Sequence, residues 1–197
     1  MSTATPIARE LPKVRSALRN LYFVRAAFSV VWVVLVFTLA TSVTVGAGTT
    51  VAASVLLVVY PLWDVVATVV DIRTNRSIAR TLLPQYLNIA FGVAATIAMI
   101  ISLTAGLTPA IIVFGIWATL TGAVQLFLAI RRRRALGGQW PMIISGGLSF
   151  LAGFSFILTS GTPSTGLLTL GGYSAFGAFW YLVGAIWLSV ARTRIPK

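Results

Sequence analysis

The stretch Pro141-Met-Ile-Ile-Ser-Gly-Gly-Leu-Ser-Phe-Leu-Ala-Gly-Phe-Ser-Phe-Ile-Leu-Thr-Ser160 contains no charged side chain. A helix of about 20 apolar residues rises about 30 Å, the thickness of the hydrocarbon core of a bilayer. Its apolar residues are continuous, whereas a membrane barrel needs segments of ~10 residues alternating with period two. The stretch therefore reads as a helix that crosses a membrane. Comparable runs lie at about 21–43, 50–71, 85–104, 107–130 and 167–191. The chain is expected to be an all-α integral membrane protein with six transmembrane helices.

Composition agrees with that reading. Hydrophobic residues make up 58% of the chain and charged residues 9%, with a mean hydropathy of +0.96. A soluble domain carries about 25% charged residues to cover its surface, so most of this surface is expected to face lipid.

The cations orient the spans. Arg9, Lys13, Arg15 and Arg19 precede the first, and Arg73, Arg76 and Arg80 lie between the second and third. Arg131, Arg132, Arg133 and Arg134 fall between the fourth and fifth, and Arg192, Arg194 and Lys197 follow the sixth. The connections at 44–49, 105–106 and 161–166 carry no charge. The positive-inside rule makes the charged side cytoplasmic, so both termini are expected inside, in a bacterial cytoplasmic (inner) membrane. A cleavable signal peptide is the competing reading of residues 1–43, but its apolar region would run only about 7–15 residues.

Residues 1–20 form a basic cytoplasmic segment in which Ile7, Leu11, Val14 and Leu18 recur at helical spacing. The segment is expected either to lie as an interfacial helix on anionic lipid or to act as a tail that sets topology. Pro12 suits the first turn of a helix running into the first span. Residues 192–197 form a short cytoplasmic tail.

The spans repeat. A shift of 63 aligns Arg25-Ala-Ala-Phe28 with Asn88-Ile-Ala-Phe91, and a shift of 120 aligns it with Ser145-Gly-Gly-Leu148. Tyr60 matches Trp117 and Trp180 in the even spans, and Asp64 matches Thr121 and Gly184. The pattern predicts three tandem helical hairpins, at about 21–71, 85–130 and 141–191. A polar pair at equivalent places is charged in the first hairpin, neutral in the second and nearly absent in the third.

Asp64 and Asp71 are two of only three acidic residues. An ionised group at mid-bilayer costs about 2.5–3.5 kcal/mol or more, so such groups turn inward and pair. Seven residues apart, the two aspartates share a helix face, and Arg25 is expected to join them in one inward cluster between the first two spans. The cluster is either an ion pair that orients the first hairpin or a set of charges that acid loosens. A proton or solute path is the third possibility.

Histidine and cysteine are both absent, which removes imidazole and thiol chemistry. With three acids left, the expectation is no enzyme, no metal and no cofactor. The tetrad Arg131–Arg134 is expected to anchor topology or bind anionic lipid headgroups. Small residues at Ala90, Ala94 and Ala98, at Ala118 and Gly122, and at Ser145, Ser149 and Gly153 are expected to be packing stripes, inside the bundle or else at an oligomer interface. Beyond the bilayer, the partner expected is a second copy or another membrane protein. Nucleic acid is disfavoured, because the cations are spread over membrane-flanking segments.

The stretches Tyr22-Phe-Val-Arg25-Ala26-Ala-Phe, Tyr60-Pro-Leu-Trp-Asp64-Val65, Gly115-Ile-Trp-Ala-Thr-Leu-Thr-Gly122 and Ser145-Gly-Gly-Leu-Ser-Phe-Leu-Ala-Gly153 resemble the HdeD-like family of small bacterial membrane proteins. The resemblance covers about residues 15–192. That family usually has Arg-Gly and Asp-Gly where this chain has Arg25-Ala26 and Asp64-Val65. The resemblance implies a membrane component linked with acid resistance and stress response, acting through lipid contact, packing or a partner, and no catalytic residues. A small-solute or proton transporter or channel is the rival expectation.

Overall fold

The computed structural model describes residues 6–39, 50–76 and 81–190. These form six helices: α1 (Pro6–Leu39), α2 (Val51–Asn75), α3 (Leu83–Leu103), α4 (Leu107–Leu136), α5 (Trp140–Thr159) and α6 (Leu167–Val190). Each is long and apolar enough to cross a membrane, and no strand occurs among the described residues. The all-α, six-span fold stands. The connection at 44–49, the cation Arg80 and the 192–197 tail with Arg192, Arg194 and Lys197 lie outside the described residues, as do the side chains of Ile7 and Arg9.

Local chemistry sets the helix ends. Thr50 caps α2, its hydroxyl accepting from the Ala53 N–H at 3.3 Å, and this satisfies one of the amides left open at a helix start. Pro84 and Pro141 stand in the first turns of α3 and α5, where a missing N–H costs nothing. Gly137 and Gly138 turn α4 into α5 with φ of 63° and 61°, a conformation that residues with a Cβ rarely adopt. Pro61 interrupts the backbone ladder inside α2. One turn earlier, Trp32 Nε1 donates to Leu56 O at 2.8 Å and ties α1 to α2.

Each helix packs on the next in sequence, and α6 packs back on α1. The six therefore close into a ring. The most extensive interfaces, α4 with α5 and α1 with α6, join different hairpins of the repeat. Glycine makes the α4–α5 seam close: a Cβ on Gly153 would lie 2.5 Å from Gly115 O, and one on Gly122 would lie 2.6 Å from Phe150 N. Of the small-residue stripes, those on α4 and α5 line this seam, whereas Ala90 and Ala94 face outward.

The N-terminal segment continues the first span as one helix of 34 residues. Leu11, Val14 and Leu18 are buried against Ala129, Leu136, Met142, Ala185 and Leu188. The helical spacing read from the sequence thus marks a face packed on protein. Arg15 Nε donates to Leu188 O at 2.9 Å, satisfying a carbonyl near the end of α6. A second apolar cluster, built on Trp32, Leu57, Met99, Ile111, Phe114 and Leu170, fills the ring toward the end without charges.

Candidate functional site: a polar belt inside the ring

The ring encloses a cavity of about 120 Å³ that is lined by all six helices, each of which contributes a polar side chain to it. At 1.5 Å per residue, Arg25, Asp64, Asn88, Thr121, Ser145 and Tyr181 each lie roughly 20–22 Å from the uncharged end of their helix. One residue from every helix thus reaches a common depth. Five of the six are the repeat-equivalent positions. On α6 the aligned residue is Gly184, and Tyr181, one turn earlier, supplies the polar group.

The belt is densely bonded. Arg25 Nη1 lies 2.7 Å from Asp64 Oδ1 and donates to Tyr181 OH at 2.9 Å. Asn88 Nδ2 donates to Asp64 Oδ2 at 2.7 Å and to Thr68 Oγ1 at 2.8 Å. The Tyr181 hydroxyl in turn donates to Gln125 Oε1 at 3.2 Å. Asp64 therefore has a cation on one oxygen and an amide donor on the other. Such satisfaction is what a charge needs to persist away from bulk water.

Asp71 lines the same cavity but is held separately. Its ion pair is with Arg132 of α4, and Gln85 Nε2 donates to the same oxygen at 3.5 Å. The sequence expectation had Arg25 serving both aspartates. Seven residues separate them by roughly 10 Å along the axis, farther than one guanidinium spans, so two cations divide the work.

The arginine tetrad divides too. Its residues lie on the last turns of α4, where successive side chains point about 100° apart. Arg132 turns into the cavity with 15% side-chain exposure. Arg131, Arg133 and Arg134 are exposed, and the first two lie over the Phe127 and Trp140 rings. Sequence reasoning also passed over Thr68, Gln85, Gln125, Tyr22 and Tyr181. The amides among them carried a signal, being polar groups within apolar runs, whereas the tyrosines were indistinguishable from packing aromatics. Among the described residues no cluster of three potential metal-ligating side chains occurs.

Residues 87–158 match a protein family described as a short repeat of unknown function (DUF308). The match runs from α3 to the end of α5, so it contains Asn88, Thr121 and Ser145 of the belt but neither Arg25 nor Asp64. A repeat family suits a chain whose belt is built from equivalent positions. No curated protein and no solved structure matches the chain.

Proposed function

We propose that this chain is a non-enzymatic, HdeD-like protein of the bacterial cytoplasmic membrane, with both termini cytoplasmic, that contributes to acid or general stress tolerance. One observation carries the reading: two of the three acidic residues are held in ion pairs inside the ring, Arg25–Asp64 joining α1 to α2 and Asp71–Arg132 joining α2 to α4. Acid that protonates either carboxylate leaves its cation buried without a counter-charge. That loosens the helices the pair joins, so the packing responds to acid without any catalytic group.

The orientation is supported by Lys13, Arg15, Arg19, Arg73, Arg76 and the tetrad, which share one end of the bundle. Arg131, Arg133 and Arg134 meet anionic headgroups there, at about 1 kcal/mol each. A second reading, a small-solute or proton transporter, is favoured by the cavity itself.

The test is acid survival of a deletion strain carrying wild type, Asp64→Asn, or Asp64→Asn with Arg25→Gln, beside proton and solute flux in proteoliposomes. Survival restored by wild type and not by the neutralised pair, with no flux, is the expected result. Flux lost on neutralising the belt transfers the assignment to a transporter. Equal survival with every variant overturns the acid-response reading.

A further inference from the structure

We infer that the cavity is a water-filled half-channel, entered at the charged end beside Asp71, Gln85 and Arg132 and closed toward the other end, so that Asp64 meets water from one side of the membrane only. This rests on the acid-response reading and names the side from which the proton comes.

Size and shape come first. A buried water needs about 10–15 Å³ of such space, so about 120 Å³ holds several. The lining runs along α4 from Trp117 to Arg132, a length of roughly 22 Å at 1.5 Å per residue. A small volume stretched over that length is a file of waters. Arg25 and Asp64 keep 13% and 14% side-chain exposure although they face the inside of the ring, and the cavity supplies that surface.

Unmet hydrogen bonds come second. Among the described residues three buried side-chain polar atoms have no partner, Gln85 Oε1, Trp117 Nε1 and Trp180 Nε1, and the first two belong to residues that line the cavity. Gln85 is 2% exposed and Trp117 5%. They stand at opposite ends of the file, an acceptor near the charged end and a donor at the blind end. Buried polar groups left this way are normally met by ordered water.

The ends differ. Beyond Trp117 stands an aromatic layer, with Phe114 at 5.2 Å from Trp117, 5.7 Å from Tyr173 and 6.1 Å from Phe156. Leu57, Met99, Leu107, Ile111, Leu167 and Leu170 are buried around it and give water nothing to bond. The groove between α5 and α6 that shares Ser145, Ser149, Tyr173 and Gly177 with the cavity opens past the exposed Leu148, Leu151 and Phe176, toward lipid. At the charged end the lining is instead polar, with Asp71, Gln85 and Arg132. The titratable and charged groups facing Asp64 are Tyr22 and Arg25 on α1, Tyr60 and Asp71 on α2, Arg132 on α4, and Tyr173 and Tyr181 on α6; α3 and α5 present only Gln85, Asn88, Ser145 and Ser149. A hydronium ion at the inner end of the file gives its proton to an Asp64 oxygen and leaves as water, while Arg25 keeps its charge.

The chain has no cysteine, so single cysteines report access directly. Thr121→Cys and Ser145→Cys sit in the belt on different helices and preserve size. Arg76→Cys and Ser164→Cys mark the two ends, and Ala110→Cys marks the sealed half. Oriented vesicles are exposed to silver ion, which is small and does not cross the bilayer, then washed, unfolded in sodium dodecyl sulfate and labelled with a fluorescent maleimide. Both belt cysteines lose later labelling when silver is added on the side that blocks Arg76→Cys, and neither does from the side that blocks Ser164→Cys. Ala110→Cys stays labelled throughout. Blocking of belt cysteines from the Ser164 side or from both sides overturns the inference, as does protection from both. Gel filtration of each variant excludes misfolding, and with two belt positions one failure to fold leaves the other to decide. The readout is water access and not survival, so this inference and the acid-response reading fail separately.

Discussion

Arg25 Nη1 sits 2.7 Å from Asp64 Oδ1 and 2.9 Å from Tyr181 OH, so a single nitrogen joins α1 to both α2 and α6. It closes the ring where the first and last helices meet. Removing one partner of a buried pair strands the other charge and costs about 3–5 kcal/mol. Asp64→Asn therefore lowers the thermal unfolding temperature in detergent. Asp64→Asn with Arg25→Gln recovers much of the loss, because the amide pair keeps hydrogen bonds to Asn88, Thr68 and Tyr181. Simple additivity of the two substitutions shows that no pair exists.

Asp71 and Arg132 form the second pair, and it separates the tetrad into two roles. Arg132→Gln destabilises the protein, approaching about 3 kcal/mol for a broken buried pair, and leaves binding to anionic vesicles nearly intact. Arg131→Gln, Arg133→Gln and Arg134→Gln together do the reverse. Unfolding temperature and vesicle co-sedimentation, measured on both proteins, give the comparison. Equal behaviour of the two refutes the division.

The glycine seam predicts position-dependent damage within one helix. Gly153→Ala places a methyl 2.5 Å from Gly115 O and Thr119 N, so α4 and α5 must part at a cost of about 1–3 kcal/mol. Gly147→Ala meets nothing within 4 Å and holds or slightly raises stability, since glycine inside a helix costs about 0.5–1 kcal/mol relative to alanine. Thermal unfolding of the two variants is sufficient.

Val65 and Gly92 are complementary across α2 and α3. A Cβ on Gly92 would lie 2.5 Å from Val65 Cγ2, so Gly92→Ala destabilises and Val65→Ala restores it. The residue after Asp64 is thus bulky here because its neighbour on α3 has no side chain. Without rescue in the double variant, the contact does not decide the packing.

Reporter fusions test the orientation. Fusions after 105 or 163 read outside, and fusions after 78 or 136 read inside. One reversed reading removes the topology on which the cytoplasmic assignment of the charged end rests.

The helices were legible because hydrophobic length is a local property: α4 starts at Leu107 and α6 at Leu167, both as read from the apolar runs. The apolar run of α4 ends at Ile130, but the helix does not. Arginine is a good helix former, so the helix continues to Leu136 and carries the tetrad with it. The belt was half legible. Repeat alignment put Arg25, Asn88 and Ser145 in equivalent places, and they share a depth. The pairing of Asp71 with Arg132 was not legible, because it depends on which faces α2 and α4 turn to each other once the ring is closed.

The spacing of the two ion pairs has a consequence for biogenesis. Arg25 and Asp64 are 39 residues apart on adjacent helices, so they leave the ribosome in succession and can enter the membrane as a neutral hairpin. Asp71 and Arg132 are 61 residues apart, and two more helices must insert before they meet. Asp71 can wait because its depth, roughly 30 Å from the uncharged end of α2 by helical rise, keeps it among hydrated headgroups. Asp64, roughly 10 Å farther from the charged end by helical rise, could not. The deeper acid is given the earlier partner, so Asp64 meets its counter-charge as soon as α2 follows α1 into the membrane.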